Sequence, residues 1–278
     1  MNRWYQSDGA RLGFRETGSG PAVVFLHPTP LNRDYWRPMI ENLAGVRAIV
    51  PDLRGHGQSE LGQHLPAGGF PRVPDAPVLS MAQLAADMLA LLDRLQLQQA
   101  FFAGCSIGGY VLLELWRRAP QRMQGLVFVC SKAQPDAEAN LGRRAANIAQ
   151  IRAEGTVGLF DGMAQSLIGA TAQARRPEIV AELRARMTLT PEAAVAVQAG
   201  LAARPDSVPT VGTIDVPVLA IAGGEDSAVT PADMEAFNAA LGGCEFHLLP
   251  DAGHFAAYEQ PQKVAALLAE WMKTPDEV

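Results

Sequence analysis

The segment Gly104-Cys105-Ser106-Ile107-Gly108-Gly109 constrains this chain more than any other. It places a GxSxG pattern directly after the apolar run 101–103 and directly before the helical run 110–118, so a strand must become a helix within a few residues. A turn that tight strains the backbone of its central residue and brings other backbone close on both sides. Gly104 and Gly108 leave out the side chains that would not fit there. Ser106 is therefore expected at the carboxyl end of a sheet strand. The rival reading is a glycine-rich turn that carries a solvated serine.

Further short apolar runs at 23–26, 46–50, 126–129, 218–222 and 246–249 are each followed by turn residues and then a helical pattern. That alternation predicts an α/β fold with a mostly parallel central sheet flanked by helices. Residues 4–6 and 12–17, separated by Asp8-Gly9, read as an antiparallel hairpin at one edge. Ser80 and Gln83 have capping-box spacing, and Met81, Leu84, Met88, Leu91, Leu92 and Leu95 then form one apolar stripe, so a helix should lie on the sheet there.

Over 131–209 the strand signal disappears in favour of Ala-, Arg- and Glu-rich helical patterns broken at Gly155, Gly169, Pro177 and Pro191. We read this as an inserted helical cap between two parts of one core, 1–130 and 210–278. Its nine basic and eight acidic residues nearly cancel, so a solvated outer face and an apolar underside are expected. Four prolines and three glycines in 61–79 predict a surface loop, to which His64 belongs.

Composition narrows the partners. With 23 basic and 29 acidic residues, a net charge of −6 and 48% hydrophobic content over 278 residues, the chain has the make-up of a soluble globular protein. It lacks the clustered Lys and Arg that phosphate binding needs, so nucleic acid is not expected as a partner. Cys105, Cys130 and Cys244 are odd in number and far apart, which gives neither a disulfide framework nor a metal-binding pattern and fits a reducing compartment. Residues 1–17 carry no signal-peptide pattern, and no run approaches the roughly 20 apolar residues of a membrane span, so a cytoplasmic location is expected.

A serine hydroxyl becomes a useful nucleophile when a base accepts its proton and a carboxylate orients that base. Of five histidines, His254 falls in a loop between the last strand and the C-terminal helix, at the sheet end where Ser106 should sit. His27 ends a strand, His247 lies inside one, and His56 sits between glycines and reads as structural. For the carboxylate, Asp226 follows the strand 218–222 and should project from the same rim. Glu225 and Asp251 compete with it, and an acid in such a loop is often only a helix cap. The order Ser106, Asp226, His254 favours Asp226.

Together, the elbow 104–108, the Ser, Asp, His order, the loop holding His27, the stretch 52–59 and the pair Gly253-His254 span nearly the whole chain. In these pieces the chain resembles the α/β-hydrolase fold superfamily, whose cap follows the sixth strand. More narrowly, the layout is similar to 3-oxoadipate enol-lactonase-like hydrolases and to the cofactor-free haloperoxidase and esterase group. The resemblance implies an oxyanion hole made by the backbone N–H groups of Ile107 and Thr29. It also implies no metal or organic cofactor. Where many relatives carry glycine, this chain has Pro28, but the donor in question belongs to Thr29. Dehalogenases and epoxide hydrolases of this fold place an aspartate at the elbow, and Ser106 argues against both chemistries.

The expected activity is hydrolysis of a small carboxylic ester or lactone through an acyl-enzyme. Acyl transfer, perhydrolysis by the same triad, and a lyase or ligand receptor on the same scaffold are the alternatives. Trp36, Leu159, Phe160, Met163, Leu167, Ile168 and Phe255 are candidates for an apolar pocket, which points to a largely apolar, uncharged substrate; no convergent Arg pair signals a dianion.

Overall fold

An antiparallel hairpin starts the sheet. β1 (Asn2–Ser7) and β2 (Ala10–Gly18) pair across Asp8-Gly9, whose φ angles of 41° and 70° are the positive values that a two-residue hairpin turn demands. The computed structural model describes residues 2–63 and 65–273; His64 lies outside the described residues. Six more strands follow: β3 (Ala22–Leu26), β4 (Arg47–Pro51), β5 (Ala100–Cys105), β6 (Met123–Val129), β7 (Val218–Gly223) and β8 (Cys244–Leu249). Their spatial order is β1-β2-β4-β3-β5-β6-β7-β8. β2 meets β4 antiparallel, and every pairing from β4 through β8 is parallel. All six residues of β7 are buried, as are 23–26 of β3, because a parallel strand covered on both faces needs a continuous apolar run.

Helices connect these strands. α1 (Arg37–Ile40) follows β3, α2 (Met81–Arg94) precedes β5, and α3 (Ile107–Arg118) follows β5 without a loop. Ser80 caps α2 by accepting the Gln83 N–H at 3.1 Å. The expected reciprocal bond is replaced by one from Gln83 Nε2 to Asp87 Oδ1 at 3.2 Å. Asp87 draws donors because it is fully buried on the apolar stripe. Arg54 holds it with two bonds of 2.6 and 2.9 Å, and the Ser7 hydroxyl adds a third at 2.7 Å. Removing one member of such a pair costs about 3–5 kcal/mol, since the other is left charged and dry. The pair therefore ties the hairpin, the β4 loop and α2 together.

Between β6 and β7 lie α4 (Glu138–Glu154), α5 (Val157–Leu167), α6 (Ala170–Arg175), α7 (Ile179–Arg184), α8 (Pro191–Ala202) and α9 (Val208–Val211), with no strand among them. The two ends of this helical insertion meet. Asp136 accepts from Arg144 at 3.0 Å and Arg204 at 2.8 Å, and Ser207 N–H donates to Ala133 O at 2.9 Å. Burial alone would raise the Asp136 pKa, but the two guanidinium groups outweigh it and hold the carboxyl low.

The loop 61–79 is irregular, as its prolines require, yet it is not simply a surface loop. Phe70, Ala76, Val78 and Leu79 are buried, and Leu79 donates to Ala196 O at 3.0 Å. A Cβ on Gly200 would lie 1.9 Å from Leu79 O, so α8 packs flush against this strap. After β7 the chain closes through α10 (Pro231–Met234), α11 (Ala256–Glu259) and α12 (Pro261–Trp271). No helix among the described residues is long and apolar enough to cross a membrane.

Candidate active site

Ser106 stands where β5 becomes α3, with φ 52° and ψ −117°. A non-glycine residue held there costs about 1–3 kcal/mol and persists only where its surroundings dictate it. They do so on three sides. Ser106 N–H donates to Val129 O at 3.1 Å, and the Ser131 hydroxyl donates to Ser106 O at 2.9 Å. A Cβ on Gly104 would fall 2.4 Å from the Gly108 carbonyl carbon, and one on Gly108 would fall 2.3 Å from Leu26 O. Gly109 is equally restricted, because a Cβ would meet Ser131 Oγ at 2.2 Å. Elbow glycines and strained serine are thus one packing solution.

The loop after β7 brings Asp226 to the loop after β8. His254 Nδ1 donates to Asp226 Oδ2 at 2.8 Å, with both residues buried. Asp226 Oδ1 accepts the N–H groups of Ala228 at 2.8 Å and Val229 at 3.0 Å, which fixes the carboxylate. Burial opposes ionisation of Asp226, but the imidazole and these donors prevail and hold its pKa below the ordinary carboxylate value. With Nδ1–H donated to Asp226, the neutral His254 ring presents Nε2 as an acceptor.

The sequence rivals are engaged elsewhere. Glu225 accepts from the Thr171 N–H at 2.9 Å and from the Thr171 hydroxyl, and Asp251 pairs with Arg175 at 3.4 Å. His247 sits on the β8 edge strand beside Glu245. His27 and His56 shape the Thr29 turn instead. His27 Nε2 accepts the Leu53 N–H at 3.0 Å while Nδ1 faces Pro28 O at 3.0 Å, and His56 bridges Arg54 O and Thr29 Oγ1 at 2.9 and 3.0 Å. Burial pushes His27 down to about 4 and His56 to about 3, so both rings are neutral at pH 7. The Cys105 side chain turns back from the elbow into the core, where it accepts from the Tyr35 hydroxyl at 3.2 Å and burial raises its pKa.

Ser106, His254 and Thr29 line a single cavity of about 780 Å³ under the helical insertion. Ile107 opens α3, so its N–H has no acceptor within the helix. Leu159, Met163 and Leu167 line this cavity as expected. Trp36, Phe160, Ile168 and Phe255 do not. Trp36 packs on Phe25 and Tyr35, Phe255 on Tyr35, and Phe160 beneath Arg184, all buried in the core or within the insertion. Large aromatic rings contribute most by filling the interior, and these do.

The expected apolar underside also needs correction. Lys132, Asn140, Arg143, Arg144, Asn147, Gln150 and Gln198 form a polar wall facing the apolar one. The α4 members recur at three- and four-residue spacing, a stripe on one helix face that is easily mistaken for a solvated surface. Sequence reasoning also missed Ser131 and Glu259. No cluster of three or more potential metal ligands occurs among the described residues.

Comparison with known proteins agrees with this architecture. The family profile described as alpha/beta hydrolase fold matches residues 21–261. The chain is 28% identical over 243 residues to 3-oxoadipate enol-lactonase 2 of Acinetobacter baylyi, covering 87% of this chain and 85% of the enzyme. A thermophilic esterase from Thermogutta terrifontis superposes with a TM-score of 0.87 at 30% identity, covering 98% of both chains. The enol-lactonase from Burkholderia xenovorans superposes with a TM-score of 0.85 at 25% identity, over 97% of this chain and 99% of that one.

Proposed function

This chain belongs to the α/β-hydrolase fold family, and on that premise we propose that it hydrolyses a small carboxylic ester or lactone through an acyl-enzyme on Ser106. The observation that carries the reading is the shared cavity: the strained Ser106, Thr29, and His254 backed by the buried Asp226 line one space, and Ile107 opens the helix directly after Ser106.

Ser106 Oγ attacks the substrate carbonyl and passes its proton to His254 Nε2. Asp226 holds the ring through Nδ1–H and stabilises the imidazolium as it forms. The negative charge on the carbonyl oxygen is met by the N–H groups of Ile107 and Thr29, a kind of contact worth roughly 3 kcal/mol of barrier per donor. His254 then returns the proton to the departing alkoxide. A water, deprotonated by the same imidazole, cleaves the acyl-enzyme and frees Ser106. No metal or organic cofactor takes part, and the buried free thiols fit a cytoplasmic setting.

Residues 131–209 act as a cap that supplies both cavity walls. Leu159, Met163 and Leu167 take an apolar part of the substrate. Across from them Lys132 and Arg143 line the cavity and form no ion pair among the described residues, while Arg144 shares the one carboxylate of Asp136 with Arg204. The substrate therefore carries a polar or anionic group as well as an apolar one, in place of the uncharged substrate expected from sequence. The test is a panel of p-nitrophenyl half-esters of dicarboxylic acids, neutral p-nitrophenyl esters of matched length, and lactones. Turnover should be found, with kcat/KM about tenfold higher for the anionic half-ester, the size of one favourable charge contact of about 1.4 kcal/mol. Failure to turn over any ester or lactone overturns the reading.

A further inference from the structure

We propose that Glu259 is a positioning residue for His254 and that it makes the placement of the imidazole conditional on docking of the segment 167–171 of the helical insertion. The proposal rests on the reading of His254 as general base.

Glu259 is the last residue of α11, five positions beyond His254, and is 8% exposed. One oxygen, Oε2, accepts the N–H of Gly253 at 2.8 Å and the N–H of Gly169 at 3.0 Å. The other, Oε1, accepts the N–H of Phe255 at 3.0 Å. The His254 N–H itself donates to Leu167 O at 2.8 Å. Three consecutive amides, 253 to 255, are therefore held by groups beyond the loop itself. A single carboxylate holds the outer two, and a carbonyl of the insertion holds the middle one.

The fit leaves no slack. A Cβ on Gly253 would lie 2.3 Å from Gly169 N, and a Cβ on Gly169 would lie 2.7 Å from Gly253 N and 2.9 Å from Glu259 Oε2. Two glycines thus let backbone meet backbone, with the carboxylate bridging the junction. On the far side of Gly169, Glu225 grips Thr171, so both loops that carry the proposed acid and base are fastened to the same five residues.

The chemistry calls for a carboxylate. Three N–H donors converge on two oxygens, and both oxygens must accept; an amide would turn an NH₂ group toward at least one of those donors. Burial raises the Glu259 pKa, while the three amides and the nearby imidazole work against that rise. The charged and titratable groups around the His254 loop are Asp226 on Nδ1, Glu259 beneath the backbone, Glu225 beyond Gly169, the pair of Asp251 and Arg175 at the start of the loop, and the thiols of Cys105 and Cys130, which point at the carbonyls of His254 and Gly253. Glu259 is accordingly a second anion close to the ring that becomes cationic during the reaction.

The variant Glu259→Gln tests this directly. On a neutral p-nitrophenyl ester, kcat should fall on the order of 100-fold, the effect of a misplacement of about 1 Å, with KM changed by less than about threefold. The acid limb of the kcat/KM profile should move to lower pH, because loss of a neighbouring negative charge makes the imidazolium less stable. Glu259→Asp keeps the charge but shortens the reach, so its acid limb should stay near that of the parent while kcat falls. Gly169→Ala attacks the junction from the insertion side and should lower kcat similarly even if Glu259→Gln does not fold. Full kcat and an unmoved acid limb in folded Glu259→Gln would overturn the proposal, whatever happens to its melting temperature. NMR titration of the His254 ring gives a readout without turnover: the midpoint should drop in Glu259→Gln, and an unchanged midpoint together with full kcat overturns the proposal. Absence of esterase activity in the parent protein would instead count against the hydrolase reading.

Discussion

Ser106→Ala is expected to reduce kcat for ester turnover on the order of 10⁵- to 10⁶-fold, with KM and melting temperature near those of the parent protein. The size follows from the proposed role: if Ser106 is the nucleophile, no acyl-enzyme forms without Oγ, and what remains is whatever the amide donors and the cavity contribute to attack by water. Stability should survive because Ser106 is anchored through its backbone, by Val129 O and the Ser131 hydroxyl, and not through the oxygen that is removed. Alanine also tolerates the strained φ no worse than serine does. Steady-state kinetics on a p-nitrophenyl ester, with circular dichroism melts of both proteins, checks both halves. Turnover that persists in the variant moves the chemistry away from the elbow.

Asp226→Asn should lower kcat by roughly 10⁴-fold, the loss seen when a triad histidine is held in the wrong tautomer. In the parent, Oδ1 accepts from Ala228 and Val229 while Oδ2 accepts the His254 Nδ1 proton. An asparagine can satisfy the two backbone donors only with its oxygen, which leaves the NH₂ group facing Nδ1. The ring must then carry its proton on Nε2, where it can no longer accept one from Ser106. KM should change little, since Asp226 does not line the cavity. The fall should appear in kcat and kcat/KM alike at pH 7 to 8, and a variant that retains most of its activity would assign the orienting role to another group.

The parts of the fold that were legible in the sequence are those written in local patterns. β3 to β8 each announced themselves as apolar runs with turn residues behind them, and the hairpin at Asp8-Gly9 has the backbone that its dipeptide implies. The elbow was legible because strand, small residues and helix adjoin within a dozen positions. Asp226 and His254 are 28 residues apart in the chain, and their meeting was legible because both follow strands that end at the same rim and because the order Ser106, Asp226, His254 favoured Asp226 over Glu225 and Asp251.

What could not be read depends on which way a side chain turns. Trp36, Phe160 and Phe255 looked like pocket residues by character, yet the interior claimed them. The stripe Asn140, Arg143, Arg144, Asn147 and Gln150 was not picked out from the solvated outer face expected of 131–209, because periodicity locates a polar face but does not say whether water or a cavity lies against it. Asp87 interrupts an apolar stripe with a buried charge, and its partner Arg54 lies 33 residues away. Glu259 carries no motif: beside Gln260-Pro261 it resembles an ordinary end-of-helix acid, and of its three amide donors two lie in the loop just before its helix while the third, Gly169, is 90 residues away.

The most direct measurement is reaction of the folded protein with a fluorophosphonate, followed by mass mapping of the tryptic peptide 95–117, whose only serine is Ser106. An activated hydroxyl predicts one adduct per chain on that peptide, formed within minutes and absent from Ser106→Ala. A folded protein that stays unlabelled, or that carries the adduct on a different residue, contradicts the account at its centre.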